Sequence, residues 1–196
     1  MSPRPSDPEI RAALVQAATT LFLTKGYCDT KVDEICHLAG RSKGSFFHYF
    51  ASKEALAAAV LQAWLERGSE AYRDAPFWKL RDPVRRVVGY VDYTGELLAA
   101  AAVKGCMVGM LSQELAQTHP RLRQALGEAF EGWGAHLEQM LKEVRGVRRV
   151  PGGARALAYH FMAIYEGALI LGKALQQPSI VKSQLAVFNH FVAALA

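Results

Sequence analysis

The stretch Thr30–Leu56, TKVDEICHLAGRSKGSFFHYFASKEAL, decides how the chain is read. Thr30 has the place of a side-chain cap, and Asp33 three residues on completes the T-x-x-D form of a capping box. Val32, Ile35, Cys36 and Ala39 then share one face of a first short helix. Gly40 follows the last periodic position, where a left-handed backbone suits glycine, and Ser42 caps a second helix two residues later. Two short helices joined by so tight a corner have helix-turn-helix spacing.

The second helix, Lys43 to Phe50, is too short to bury much alone, yet it carries Phe46, Phe47, Tyr49 and Phe50. Phe46 and Phe50 are four residues apart and anchor it inward. Lys43, Ser45, Phe47, His48 and Tyr49 then face outward, a mixture of cation, hydroxyl, imidazole and apolar edge that suits bases and phosphates in a major groove. No acidic residue occurs from Arg41 to Lys53. Ser52 caps a third helix, whose N-terminus and Lys53 add capacity for phosphate.

The run GRSKGSFFHYFASKEAL resembles the DNA-binding signature of the TetR family of transcriptional regulators, over about residues 8–60. The resemblance implies DNA contacts by Lys43, Gly44, Ser45, Phe47, His48, Tyr49 and Lys53, with Thr30 capping the supporting helix at a phosphate; Ser42, the cap of the second helix, is a further candidate contact. The chain departs from the family pattern at Arg41, usually apolar, at Lys31, often Thr, and at Phe47, commonly Tyr. The implied fold is all-α: a DNA-binding domain over residues 1–51 and a connecting helix with an effector-binding and dimerisation domain over 52–196.

The 196 residues are 51% hydrophobic and 21% charged, as expected of a globular chain. The net charge of +5 is weak evidence for nucleic acid, because the excess of basic residues lies mainly after residue 80. The local acid-free run carries the argument instead. Cys28, Cys36 and Cys106 form no CxxC pair and suit a reduced cytoplasm. No apolar signal segment or membrane-length run is legible, so a soluble, cytoplasmic protein is expected.

Before the motif, Arg4 could reach a minor groove as an arm, against the plainer reading of residues 1–6 as a frayed tail. Asp7-Pro8 reads as a cap and first helical residue, and Ile10, Leu14, Ala17, Ala18, Leu21 and Phe22 make an amphipathic helix ending at Gly26. After the motif a long helix runs from Ser52 toward Tyr72. Asp82-Pro83 starts another, Lys104-Gly105 breaks it, and Pro120 opens a helix with Leu122, Leu126, Phe130, Trp133, Leu137 and Met140 on one stripe. Residues 145–153 read as a loop, followed by helices over 154–175 and 179–195. These last two are apolar over more than one face, which points to burial in a second copy. A homodimer also presents two recognition helices to half-sites one DNA turn apart, roughly 34 Å.

Two catalytic readings fail on context. Gly40-Arg41-Ser42-Lys43-Gly44 matches the G-x-S-x-G nucleophile elbow, but helix rather than strand precedes Ser42. The six histidines lack metal-ligand spacing, so no metal, cofactor or enzyme activity is expected. Cys106 opens a helix, where backbone N–H groups favour a thiolate, while the alternative is a small buried core residue. The segments GCMVGMLSQEL and EGALILGKA resemble a subgroup of the family that responds to electrophiles or acrylate-type metabolites. That resemblance implies Cys106 as sensor with Lys173 as its assistant. A reversible small-molecule inducer would be lined from Tyr93, Met107, Met110, Phe130, Trp133, Phe161, Tyr165 and Glu166, although large apolar side chains at helical spacing are most often core. The expected function is therefore a repressor on a palindromic double-stranded DNA operator, released by a small molecule or electrophile. The rival reading is a helical small-molecule-binding protein that no longer reads DNA, with Arg41 as its foothold.

Overall fold

A computed structural model describes residues 7–100 and 105–196. Arg4 and Lys104, on which an arm and a helix break were expected, lie outside the described residues. Those residues hold nine α-helices and no strand. They are α1 (Pro8–Lys25), α2 (Val32–Leu38), α3 (Lys43–Tyr49), α4 (Lys53–Arg73), α5 (Pro83–Ala100), α6 (Met107–Leu115), α7 (Pro120–Leu141), α8 (Gly153–Ala174) and α9 (Ser179–Ala193). Two compact units result. One comprises residues 1–69 with 107–126, the other 70–106 with 127–196.

In the first unit, α1 starts as its sequence dictates: the Asp7 carboxylate accepts from Glu9 N–H, with proline at the first helical position. Leu14, Ala17, Ala18 and Phe22 bury its inner face against α2. The start of α2 differs from expectation. Its N-cap is Lys31, one residue after the expected cap, and the Glu34 carboxylate accepts from Lys31 N–H at 2.8 Å. Thr30 is not the cap, because its hydroxyl donates to Gly26 C=O at 2.6 Å and is 1% exposed. The corner after α2 does take the left-handed form at Gly40, with φ 64°. Ser42 Oγ accepts from Ser45 N–H, and Ser52 Oγ from Ala55 N–H, both at 3.1 Å. Leu56, Ala57, Val60 and Leu61 of α4 complete the small core. The same unit recruits α6, which contacts α1.

In the second unit, α5, α8 and α9 pack on one another through Val87, Tyr90, Val91, Leu157, Phe161, Leu185, Phe188 and Val192. Short 3-10 turns occur at Pro76–Lys79 and Arg145–Arg149. The second turn falls within the stretch read as loop; its Gly146 and Val147 are buried, and Gly146 N–H donates to Leu195 C=O at 3.1 Å. No helix among the described residues is long and apolar enough to cross a membrane.

Candidate functional site

The geometry of α3 follows from the alternation of its aromatic residues. Phe46 is fully buried and Phe50 nearly so, their rings 5.9 Å apart, which contributes about 1.5–3 kcal/mol for each side chain removed from water. That anchorage turns the other face out. Lys43, Gly44, Phe47 and His48 are exposed, and Ser45 and Tyr49 are half-buried. Phe47 is 56% exposed, a large apolar area for a helix of seven residues. Its ring meets Phe46 edge-on at 5.1 Å, and His48 meets Tyr49 edge-on at 5.0 Å, so the outward aromatics are pre-positioned. Tyr49 also fixes the start of α1, its hydroxyl accepting from Asp7 N–H at 2.7 Å. Its own O–H hydrogen remains to be donated outward.

Four expected contacts sit differently from the rest. Lys43 lies 2.8 Å from the Asp33 carboxylate, both side chains well exposed. Such a surface pair is worth about 0–1 kcal/mol, so a phosphate or base edge can displace it. Ser42 is occupied as the cap of α3. Lys53 turns inward: its ammonium donates to the carbonyls of Tyr27 at 2.9 Å, Cys28 at 3.4 Å and Thr30 at 2.8 Å. All three of its hydrogens are directed at the chain before α2. The buried Thr30 hydroxyl likewise shapes that loop rather than facing solvent.

The expected effector residues divide. Met107, fully buried, and Met110, half-buried, belong to α6 in the first unit. The others belong to the second unit, where the rings of Trp133, Phe161 and Tyr165 form one cluster, Trp133 to Tyr165 at 5.2 Å and Trp133 to Phe161 at 5.9 Å. Tyr93 donates to Ala71 C=O at 3.0 Å and stacks edge-on with Tyr72. Phe130 is half-buried on α7.

Sequence reading missed the polar groups threaded through this core. Trp133 Nε1 donates to Tyr90 Oη at 2.7 Å, Tyr72 Oη donates to Thr94 Oγ1 at 2.8 Å, and Thr94 donates to Tyr90 C=O at 2.8 Å. The signal was available in Tyr90 and Thr94, two hydroxyls on the stripe that also holds Val87 and Val91. Burial pushes the Tyr72 phenol up to about 12 and raises the Tyr90 and Tyr165 phenols as well, so all three stay neutral.

Cys106 is buried, immediately before α6. Its thiol shares a hydrogen bond with the carboxylate of Glu166 on α8, a group raised above its ordinary value by burial and held back partly by that bond. The other oxygen, Glu166 Oε1, is buried without a hydrogen-bond partner. Lys173 is exposed in the last turn of α8, two turns or roughly 10 Å along the axis from Glu166. The thiol thus meets the acid of Glu166, whereas Lys173 is exposed to solvent. Among the described residues no cluster of His, Cys, Asp or Glu could hold a metal ion.

Comparison with known proteins agrees with this arrangement. Residues 14–60 match the sequence family described as bacterial regulatory proteins, tetR family, and residues 83–183 match the LmrA/YxaF-like C-terminal domain of transcriptional regulators. The chain is 30% identical to the transcriptional regulator AcuR of Cereibacter sphaeroides, over 92% of this chain and 84% of that protein. It is 32% identical to the transcriptional repressor DhaR of a Mycobacterium species, over 82% of this chain and 81% of that protein. A crystal structure of a regulatory protein TetR from Rhodobacter sphaeroides superposes with a TM-score of 0.79 at 28% identity, covering 92% of this chain and 97% of that one. The chain therefore belongs to the TetR family of bacterial transcriptional regulators, and it is a DNA-binding regulator.

Proposed function

We propose that this regulator is a cytoplasmic repressor that binds a palindromic operator as a homodimer and releases it when its effector domain is occupied or modified. The observation that carries the reading is the outward face of α3, where Lys43, Gly44, Phe47 and His48 stand exposed on a helix whose inner face is locked by Phe46 and Phe50. In that reading residues 1–51 bind DNA, with Ser45 and Tyr49 completing the contact face. Lys43, Ser45 and His48 read base edges, while the N-terminus of α4 faces a phosphate. Residues 52–196 supply the connecting helix, the effector site and the dimer interface.

A second copy is supported by the exposed apolar side chains of the last two helices. Ile170 and Leu171 on α8, Leu175 at its C-cap, and Val187 and Phe191 on α9 are all 44–61% exposed. Apolar side chains left so open on adjoining helices suit a self-complementary two-fold contact.

For the effector, two inputs share one core. A small molecule would contact the Trp133, Phe161 and Tyr165 rings and the unpartnered oxygen of Glu166, with Tyr93 and Phe130 as further lining. An electrophile would alkylate Cys106, with the Glu166 carboxylate that shares a hydrogen bond with the thiol as the acceptor of its proton; Lys173 is the second candidate assistant. Either input must favour the arrangement that does not fit the operator, since only differential affinity shifts an equilibrium.

A gel-shift titration against the duplex upstream of the protein's own gene tests the reading. Retarded complex that survives excess random duplex, and that dissolves on adding a maleimide, supports it. Equal affinity for the upstream and random duplexes would refute it.

A further inference from the structure

The loop between α1 and α2 is gripped from two sides by opposite charges. On one side Glu114, in the last turn of α6, accepts from Tyr27 N–H at 3.0 Å through Oε1 and from Cys28 N–H at 2.6 Å through Oε2. The Cys28 thiol bonds the same carboxylate. On the other side Lys53, the first residue of α4, donates to the carbonyls of Tyr27, Cys28 and Thr30, with its ammonium 4.2 Å from the centre of the Tyr27 ring. The N–H groups of Tyr27 and Cys28 thus face an anion, and their C=O groups a cation. Charge-assisted bonds of this kind are about twice as strong as neutral ones, and they have a defined geometry.

The backbone is shaped for this approach. Gly26 has φ 90°, and a Cβ there would stand 2.7 Å from Glu114 Oε1. Both the conformation and the space call for glycine. Tyr27 is buried, its ring tilted against Phe22 of α1 at 5.3 Å and edge-on to His119 at 5.8 Å. From this loop the chain passes directly to α2, which carries α3 against it. The loop therefore fixes the direction in which the α2–α3 pair leaves α1, and α6 enters a unit that the helix-turn-helix would otherwise form alone.

We propose that Glu114 is a positioning residue for operator reading: from α6 it fixes the Tyr27–Cys28 loop, and through that loop the orientation of the α2–α3 pair on DNA. This rests on the reading of α3 as the recognition helix. It adds a residue some 60 positions away in sequence from any DNA contact.

The sign of one substitution separates positioning from charge. Glu114→Gln removes a negative charge from a DNA-binding unit, so electrostatics alone would tighten binding to every duplex. Positioning predicts the reverse for the operator. The carboxamide offers one acceptor oxygen, and its NH2 confronts the second backbone N–H, so the loop is released. Operator affinity should fall about tenfold, within the usual range of coupling between sites, while affinity for random duplex stays the same or rises. Amide hydrogen exchange at Tyr27 and Cys28 should accelerate in the same variant. Glu114→Asp keeps the charge but shortens the reach, and should also lose operator affinity. Operator affinity in Glu114→Gln equal to or tighter than wild type, with exchange at those amides unchanged, would overturn the proposal. A wild-type protein with no preference for its operator would instead sink the recognition-helix reading, leaving the exchange measurement to judge the loop.

Discussion

The thiol of Cys106 shares a hydrogen bond with the carboxylate of Glu166, whose second oxygen is buried with no partner. Burial is the larger influence on this acid and favours its neutral form, so its pKa is raised. The folded chain then holds that proton more tightly than the unfolded chain does. Stability is unaffected by the group at pH below its unfolded pKa and declines as pH rises from there through the raised folded value. Glu166→Gln, which stays neutral, should remove this decline. Melting temperatures of the two proteins are expected to diverge from acidic toward neutral pH, with the Gln variant the more stable at neutral pH. A difference that does not vary with pH would contradict the linkage.

Replacing Cys106 with Ser should abolish release from DNA by an electrophile while leaving operator affinity intact, because the site lies outside the DNA-reading face. Cys28 is exposed and will also react, so the comparison belongs in a Cys28→Ser background. Full release by the electrophile in the Cys106→Ser protein would rule out the sensor role.

Lys43 and Lys53 should respond differently to mutation. Lys43→Ala removes an outward contact and is expected to relax sequence preference, with a loss of about 1–3 kcal/mol against the operator alone. Lys53→Met strands three carbonyls of the α1–α2 segment, costing about 1–3 kcal/mol of stability, and should lower the melting temperature. Thermal melts together with operator and random-duplex titrations check this. Unchanged melting for Lys53→Met would show that its carbonyl contacts contribute little.

Val187 is 61% exposed on α9, so Val187→Glu is tolerable in a folded protomer but would bury unpaired charges at a two-fold contact. Sedimentation should show a folded monomer, and operator affinity should drop by about 10²-fold or more as linkage between two half-site contacts is lost. A dimer that survives the substitution would move the interface elsewhere.

How far the fold could be read depended on whether a residue's partner was local. Asp7-Pro8, Ser42, Ser52 and Gly40 act within one helical turn, and each sits where the spacing required. The inward pair Phe46 and Phe50 was legible for the same reason. Thr30 misled because its hydroxyl has a competing acceptor, Gly26 C=O, created by the left-handed turn before it. Lys53 looked like a phosphate ligand because the carbonyls it meets lie 23–26 residues earlier. Glu114 was invisible as a functional residue: its partners are 86 and 87 positions away, and an acid near a helix end has no sequence pattern that announces them. The Cys106–Glu166 contact was hidden in the same way, although both residues were singled out separately.

The measurement that bears most directly on paired recognition helices is a titration of the protein on its operator and on a duplex with about five base pairs, or half a turn, inserted between the half-sites. Two protomers per operator duplex, with affinity falling to that of random DNA on insertion, is the predicted result. One protomer per duplex, or indifference to the insertion, would contradict it.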